Sequence, residues 1–345
     1  MVVHSNSDYT VGWISALSIE YSAAIAFLDE VHGRPENLPS NDNNFYTLGR
    51  IGGHNVVMAV MPNGEYGLVS AACVASDMMN SFPEVRALFM VGIGGGAPSA
   101  KHDIRLGDIV VGAPGNTRSG VIQYDFGKTI QQQAFHMTRH LSAPPLILQT
   151  AVAGLRARHR NEGNRLNKAV HEVLQKQPRL RTEFAQPDRV SDRLYRSDVI
   201  HHPGSDGRLG CEECCGNDPS SLVQRQARGI GEDEPVVHYG LIASSNQLMK
   251  DAMKRDYLAE GEDVLCFEME AAGLMRHFPC LVVRGICDYS DTHKNKTWQG
   301  HASMVAAAYC KSLIGLLVPR KVEKERSISS IMQSSKRNTR ICCPS

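Results

Sequence analysis

The sequence predicts an α/β fold, and three observations carry that expectation. Short apolar runs with the Val, Leu and Ile content of strands buried on both faces recur at Ala87–Val91, Val264–Phe267 and Cys280–Ile286. Helical stretches lie between such runs: an Ala-rich segment at Leu68–Met79, helically spaced apolar residues in Pro145–Arg160 and Asn164–Leu174, and a short run at Ala271–His277. Acidic residues gather just past strand ends, with Glu20 after the first, Glu268 and Glu270 after Val264–Phe267, and Asp288 and Asp291 after Cys280–Ile286. Ligands of α/β sheets bind in the crevice beyond the carboxyl ends of the strands, so these carboxylates outline an acid/base site.

The remaining elements follow in order. Tyr9–Ala16 is the first strand and runs into a helix over Ile19–Leu28 that carries Glu20 in its first turn. Asn44–Ile51 and His54–Val60 flank Gly52-Gly53 as a β-hairpin. Ala87–Val91 leads into Gly92-Ile93-Gly94-Gly95-Gly96, a glycine-rich loop that either lets backbone approach a ligand or turns the chain; it lacks the Gly-Lys-Ser/Thr of a phosphate loop. Arg105–Ala113, Gly120–Phe126 and Val236–Ala243 give further strands, and His301–Leu317 an amphipathic terminal helix.

Two stretches break the pattern. From Gln177 to Pro235 the chain turns to Pro, Asp, Arg and Gly, which reads as an irregular insertion. Its His201, His202, Cys211 and Cys214 are zinc-binding residue types, but their spacing fits no standard finger, and the expectation is a surface loop with no metal. Pro319–Ser345 is polar, basic and without periodicity, and is expected to be a disordered tail; Cys342 stands four from the end, but Pro344 argues against prenylation. The organisation expected is one domain over residues 1–318, interrupted by the 177–235 insertion and followed by that tail.

Bulk properties exclude several classes of function. A chain of 345 residues with 42% hydrophobic and 21% charged residues supports a sizeable core, and a net charge of +1 supplies no field for nucleic acid or a membrane surface. No apolar run approaches the roughly 20 residues of a membrane span, and Met1–Asp8 lacks a signal-peptide pattern. A soluble, cytoplasmic protein is expected. Cys73, Cys266, Cys280, Cys287 and Cys310 stand singly in apolar segments, so the cysteines do not form a disulfide framework.

The carboxylates admit a plainer reading, because acidic residues before a helix also complement its dipole. Arg284 weighs against it: a buried strand rarely carries an arginine without an anionic partner.

Taken in order, the motifs resemble the purine nucleoside phosphorylase and nucleosidase superfamily. The carriers are the strand followed by Glu20, MPNGEYG, MVGIGGGAPS, HYGLIASSNQLMKD, VLCFEMEAAGLM and RGICDYSD. Their wording looks most like nucleosidase-type domains of filamentous fungi, found alone or leading larger defence-receptor chains; here the domain is expected to stand alone. The resemblance covers about Tyr9–Val318 less the insertion, and implies a single domain with a mixed, partly closed central sheet wrapped by helices. It further implies that Asp288 protonates N7 of a departing purine, and that Glu270 and Met269 hold the ribose beside Glu268. Ser245, Asn246 and Leu248 would line the base, with Gly94, Gly95 and Arg284 completing the substrate site. No cofactor is implied. The partners implied are a purine nucleoside and further copies of the chain, the Leu68–Met79 helix offering an apolar face for a dimer or higher oligomer.

The superfamily divides by nucleophile. Where phosphorylases place phosphate-binding groups, this chain has Glu20, Met90 and Ile93. A carboxylate repels a phosphate dianion in a dry pocket, so water is the better nucleophile, and Glu20 matches the glutamate that activates it in the methylthioadenosine nucleosidases. Hydrolysis to free base and ribose is the expected reaction. Phosphorolysis remains the alternative, should Arg86, Arg105 or a neighbouring subunit supply the missing cation, and a purine-binding signalling module without turnover is the non-enzymatic one.

Overall fold

Ala87–Gly96 is the strand on which the sheet is assembled, in a computed structural model describing residues 4–115, 119–132, 136–137, 141–201, 211, 215, 218–229 and 235–341. The strands are β1 Val11–Ser15, β2 Glu30–Val31, β3 Phe45–Ile51, β4 His54–Val60, β5 Ala87–Gly96, β6 Ile109–Gly112, β7 Val121–Gln123, β8 Gly127–Lys128, β9 His136–Met137, β10 Val237–Ser244, β11 Val264–Glu268 and β12 Leu281–Asp288. Strand β5 runs parallel to β1 on one side and to β12 on the other. From β12 the sheet continues through β6 and β10 to β11, which returns to pair antiparallel with β5 at Cys266↔Gly96 and Phe267↔Gly95. This closure makes the sheet mixed and partly closed, as the motifs implied. On the other side β1 continues to β4, the β3–β4 hairpin and β2.

The closure positions the site. Pairing of β11 and β12 with the same end of β5 brings Glu268 and Asp288 to one rim, Asp288 facing Gly95. The helix Ser18–Ala26, which follows β1, delivers Glu20 to that end of β5.

Helices cover both faces. Leu68–Ser81 and Ala271–Met275 bury one core cluster, and Ser18–Ala26, Leu146–Glu162, Leu166–Lys176 and Gln299–Ile314 bury the other. The last departs from the amphipathic helix expected at 301–317. It is buried around nearly its whole circumference, because other helices pack over the side that would have faced solvent. The apolar side of Leu68–Ser81 likewise points into the chain's own core and leaves Val69 and Cys73 exposed.

Three more expectations change. The glycine-rich segment is not a loop: Gly92–Gly96 continue β5 to its end. The described part of the tail, residues 319–341, is folded, with helices at Pro319–Val322 and Ile328–Ile341. Val322 and Ile328 are fully buried, Ile328 N donates to Val85 O at 2.9 Å, and Arg86 Nη1 donates to Glu325 O. Two apolar anchors suffice where periodicity gives no signal. Residues 342–345, with Cys342, lie outside the described residues.

The insertion is partly built onto the body, with short turns at Pro178–Leu180, Arg189–Ser191 and Pro219–Ser221 and a helical turn at Arg181–Phe184. Phe184 enters the core, while ion pairs from Arg225 to Asp192 and from Arg228 to Asp108 tie down further described residues of it. Polar anchoring of this kind leaves no apolar pattern to read. Among the described residues no group of three or more His, Cys, Asp or Glu side chains is placed to hold a metal ion; His202 and Cys214 lie outside them.

Gly285 shows how tightly the Gln299–Ile314 helix sits on the sheet. A Cβ there would lie 1.9 Å from Ala302 O, so backbone would have to move. Gly285→Ala is expected to lower stability by about 1–3 kcal/mol, the usual cost of overpacking. Urea denaturation with an unchanged m-value measures it, and a loss below about 0.5 kcal/mol would contradict this packing.

Candidate active site

Arg284 is the centre of a buried charge cluster. It is 0% exposed, and its Nη2 donates to Glu268 Oε2 and, at 3.5 Å, to Glu270 Oε2. Glu268 Oε2 also accepts from Glu270 N at 3.1 Å and Ala271 N at 2.9 Å, so this carboxylate caps the Ala271–Met275 helix while pairing with the arginine. Glu270 is a different kind of group. Burial pushes its carboxyl up to about 8, Glu268 and Glu20 adding to the effect against Arg284.

Glu20 approaches the cluster from the other side. Its Oε2 accepts from Ala16 N at 2.7 Å and Leu17 N at 2.9 Å, and its Oε1 accepts from Ile93 N at 2.8 Å. Burial raises its pKa, with Arg284 and the three N–H donors working in the opposite direction. One guanidinium thus faces three carboxyl groups. Glu268 takes the closest ion pair, and Glu20 and Glu270 are left more basic than ordinary carboxylates. Such groups accept a proton from water more readily than a surface glutamate does.

The glycines of β5 make room for these side chains. A Cβ on Gly92 would meet Glu20 Oε1 at 2.3 Å and Arg284 Nη1 at 2.7 Å, and one on Gly95 would meet Ser290 Oγ at 2.2 Å and Asp288 Oδ1 at 2.6 Å. A Cβ on Gly94 would lie 3.1 Å from Phe267 O. The backbone points beside Glu20 and Asp288 therefore lie three residues apart on one strand, roughly 10 Å.

Asp288 is buried at the end of β12. Its Oδ1 accepts from Ser290 N at 2.9 Å, in a turn that holds Ser290 at φ 56°, and its Oδ2 lies 2.8 Å from Lys294 Nζ. Burial lowers the Lys294 pKa, but Asp288 and Cys287 outweigh it and the net shift is upward. Beside Asp288 the Lys294 ammonium thus holds its proton more firmly than an ordinary lysine does. Sequence reading missed Lys294. It lies six residues past Asp288 in a loop that folds back, and no periodicity signals such a return.

The other named residues divide. Met269 is half-buried between Glu268 and Glu270. Ser245 is buried, with Oγ donating to Gln247 O and accepting from Gln247 N. Asn246 Oδ1 accepts from Leu68 N at 3.0 Å, so its carbonyl serves the start of the Leu68–Ser81 helix. Leu248 is 49% exposed. Arg86 and Arg105, the candidate phosphate ligands, are engaged elsewhere: Arg86 with Glu84 and Glu325 O, Arg105 with Asp103 and Gln226 O. Two clefts of about 270 and 900 Å³ border Arg105 and the insertion, and neither is lined by Glu20, Glu270 or Asp288.

A partly closed mixed sheet with buried carboxyl groups at the ends of β1, β11 and β12 defines the nucleoside phosphorylase and nucleosidase fold. Residues 10–174 match the model of the family described as the phosphorylase superfamily, the one that the motifs resemble. A nucleotide-binding leucine-rich repeat (NLR)-like protein of Hyaloscypha variabilis is 43% identical over 322 residues; the match covers 93% of this chain and 30% of that protein. The chain therefore spans about 30% of the length of the curated relative it matches. Among solved structures, the 5'-methylthioadenosine/S-adenosylhomocysteine nucleosidase of Neisseria meningitidis, in complex with methylthio-immucillin-A, superposes with a TM-score of 0.54 at 16% identity, covering 89% of this chain and 98% of that one. The MTA/SAH nucleosidase of Streptococcus pneumoniae gives 0.52 at 18% identity, over 89% and 100% of the two chains. Futalosine hydrolase of Helicobacter pylori gives 0.51 at 16% identity, over 90% and 99%. At these identities the structural likeness establishes the fold.

The raised Glu270 pKa sets a pH dependence. The fold favours the neutral carboxyl, so the stability it contributes is complete below the ordinary carboxyl range and is lost as pH rises towards about 8. Gln keeps the neutral form at every pH. The melting temperature of Glu270→Gln relative to the parent is therefore expected to climb between about pH 5 and about pH 8. A difference that is flat or falls over that window would show that Glu270 is ionised in the folded protein.

Proposed function

We propose that the chain is a purine nucleosidase that hydrolyses the N-glycosidic bond of purine ribonucleosides to free base and ribose. The observation that carries this reading is Glu20: a buried carboxyl of raised basicity fixed by Ile93 N, at the place where a phosphorylase needs a cation, while Arg86 and Arg105 are held elsewhere. In the proposed step, water attacks the anomeric carbon and passes a proton to Glu20 as the carbon–nitrogen bond breaks. The bonding pair leaves with the purine, which takes a proton at N7 from the Asp288–Lys294 pair. Glu270, which the fold keeps largely neutral below about pH 8, contacts the ribose hydroxyls as they shift in the transition state.

A second reading has its own support, the 43% identity to part of an NLR-like protein. In it the domain binds a purine nucleoside as a signal and turns over little or nothing. Base release from adenosine, inosine, guanosine and methylthioadenosine, assayed side by side, separates the two.

Variants test the assigned roles. Asp288→Asn is expected to slow natural nucleosides by roughly 10²–10⁴-fold, and to slow a nitrophenyl riboside, whose leaving group needs no proton, much less. Glu20→Gln should slow both substrates alike, because water attack is common to them. Equal losses on the two substrates for Asp288→Asn would remove Asp288 from the acid role.

A further inference from the structure

Asp288 ends β12, and from it the chain runs through turns and bends, residues 289–298, before the helix Gln299–Ile314 begins. The 177–235 insertion lies against this loop along its length. Near the start, the Tyr289 hydroxyl donates to Asp192 Oδ1, which also accepts from Arg225 Nη2 at 3.1 Å, and the Arg225 guanidinium lies 5.3 Å over the Tyr289 ring. In the middle, His201 N donates to Thr292 Oγ1 at 2.8 Å, and Tyr195 stacks on His293 with ring centroids 3.8 Å apart. At the end, Trp298 Nε1 donates to Ser191 Oγ at 3.0 Å.

Tyr289, the neighbour of the proposed acid, is held from both sides. Its ring is buried, and burial pushes its hydroxyl well above the ordinary pKa, Asp192 adding to the effect, so the group stays an O–H donor. Its carbonyl accepts from Arg255 Nη1 at 2.8 Å, and Arg255 is fixed in turn by Asp256 Oδ1 at 2.7 Å and by Ser197 of the insertion at 3.3 Å. Arg225 is anchored beyond Tyr289 as well, donating to Ile104 O at 3.3 Å. The guanidinium groups here are occupied, and what they grip is the loop.

The residue after Tyr289 shows why that grip matters. Ser290 sits in the left-handed region at φ 56°, and its N–H donates to Asp288 Oδ1 at 2.9 Å. Such a conformation persists in a non-glycine residue only where the surroundings fix it. Pinning of Tyr289 at hydroxyl, ring and carbonyl supplies that constraint, and the turn it enforces aims the Asp288 carboxyl. Lys294, 2.8 Å from Asp288 Oδ2, rides on the same loop between the His293 and Trp298 contacts.

We propose that Asp192 and Arg225 of the insertion are positioning residues which, through Tyr289, aim Asp288 at the departing base, an assignment that rests on the nucleosidase reading. Misplacement of a reacting group by about 1 Å can cost 10²-fold in rate. An insertion that only stabilised the fold would, on loss of one contact, slow every substrate alike. A positioning contact acts on the step in which a proton is delivered.

Tyr289→Phe tests this, because it removes the hydroxyl and keeps the ring under Arg225. Its kcat on purine nucleosides is expected to fall at least fivefold with KM within twofold of the parent, while a nitrophenyl riboside, whose leaving group needs no proton, loses less than twofold. Asp192→Ala should show the same split. Amide hydrogen exchange reads the contact without turnover: in both variants the Ser290 and His293 amides are expected to exchange at least tenfold faster, with the Ser18–Ala26 helix unchanged. A parent that released no base would remove the nucleosidase reading and leave exchange to decide whether the insertion holds the Asp288 turn. Equal losses on both substrates for Tyr289→Phe, where Asp288→Asn distinguishes them, would overturn the assignment, as would unchanged exchange at Ser290 and His293.

Discussion

Everything at the rim of this sheet depends on one buried cation. Arg284 has no access to solvent and lies among three carboxyl groups whose combined charge it cannot balance. Removing one partner of a buried pair typically costs about 3–5 kcal/mol, so Arg284 and Glu268 hold each other in place. The excess is absorbed by Glu20 and Glu270, both held more basic than usual by burial. An electrostatic imbalance within the fold thus sets the raised basicity of these two carboxyl groups.

The same rim shows why β5 ends in glycines. Antiparallel closure by β11 and parallel pairing with β12 converge on Gly94–Gly96, and the side chains of Glu20, Arg284, Asp288 and Ser290 fill the space where Cβ atoms would stand. The segment serves the site by admitting its side chains, a different use from the backbone approach to a ligand that its composition suggests.

Much of this was legible in the sequence. The buried strands, the order of motifs and the convergence of Glu20, Glu268, Glu270 and Asp288 on strand ends follow from apolar runs and from the direction of parallel strands. Arg284 announced itself as a charge in a run of Val, Leu and Ile. What escaped was governed by tertiary contact. Lys294 reaches Asp288 through a loop return, Asn246 is drawn to the end of a helix 178 residues away in sequence, and the tail is pinned by Val322 and Ile328. The Gln299–Ile314 helix looked half-exposed because the helices that cover it come from distant parts of the chain.

The central claim is that water, and not phosphate, attacks the sugar. The direct test is the initial rate of purine release as phosphate is raised from zero, with the sugar product identified by NMR. A rate independent of phosphate, with free ribose as the sugar product, is the result this account predicts. A rate that rises in proportion to phosphate, with ribose 1-phosphate as product, would contradict it.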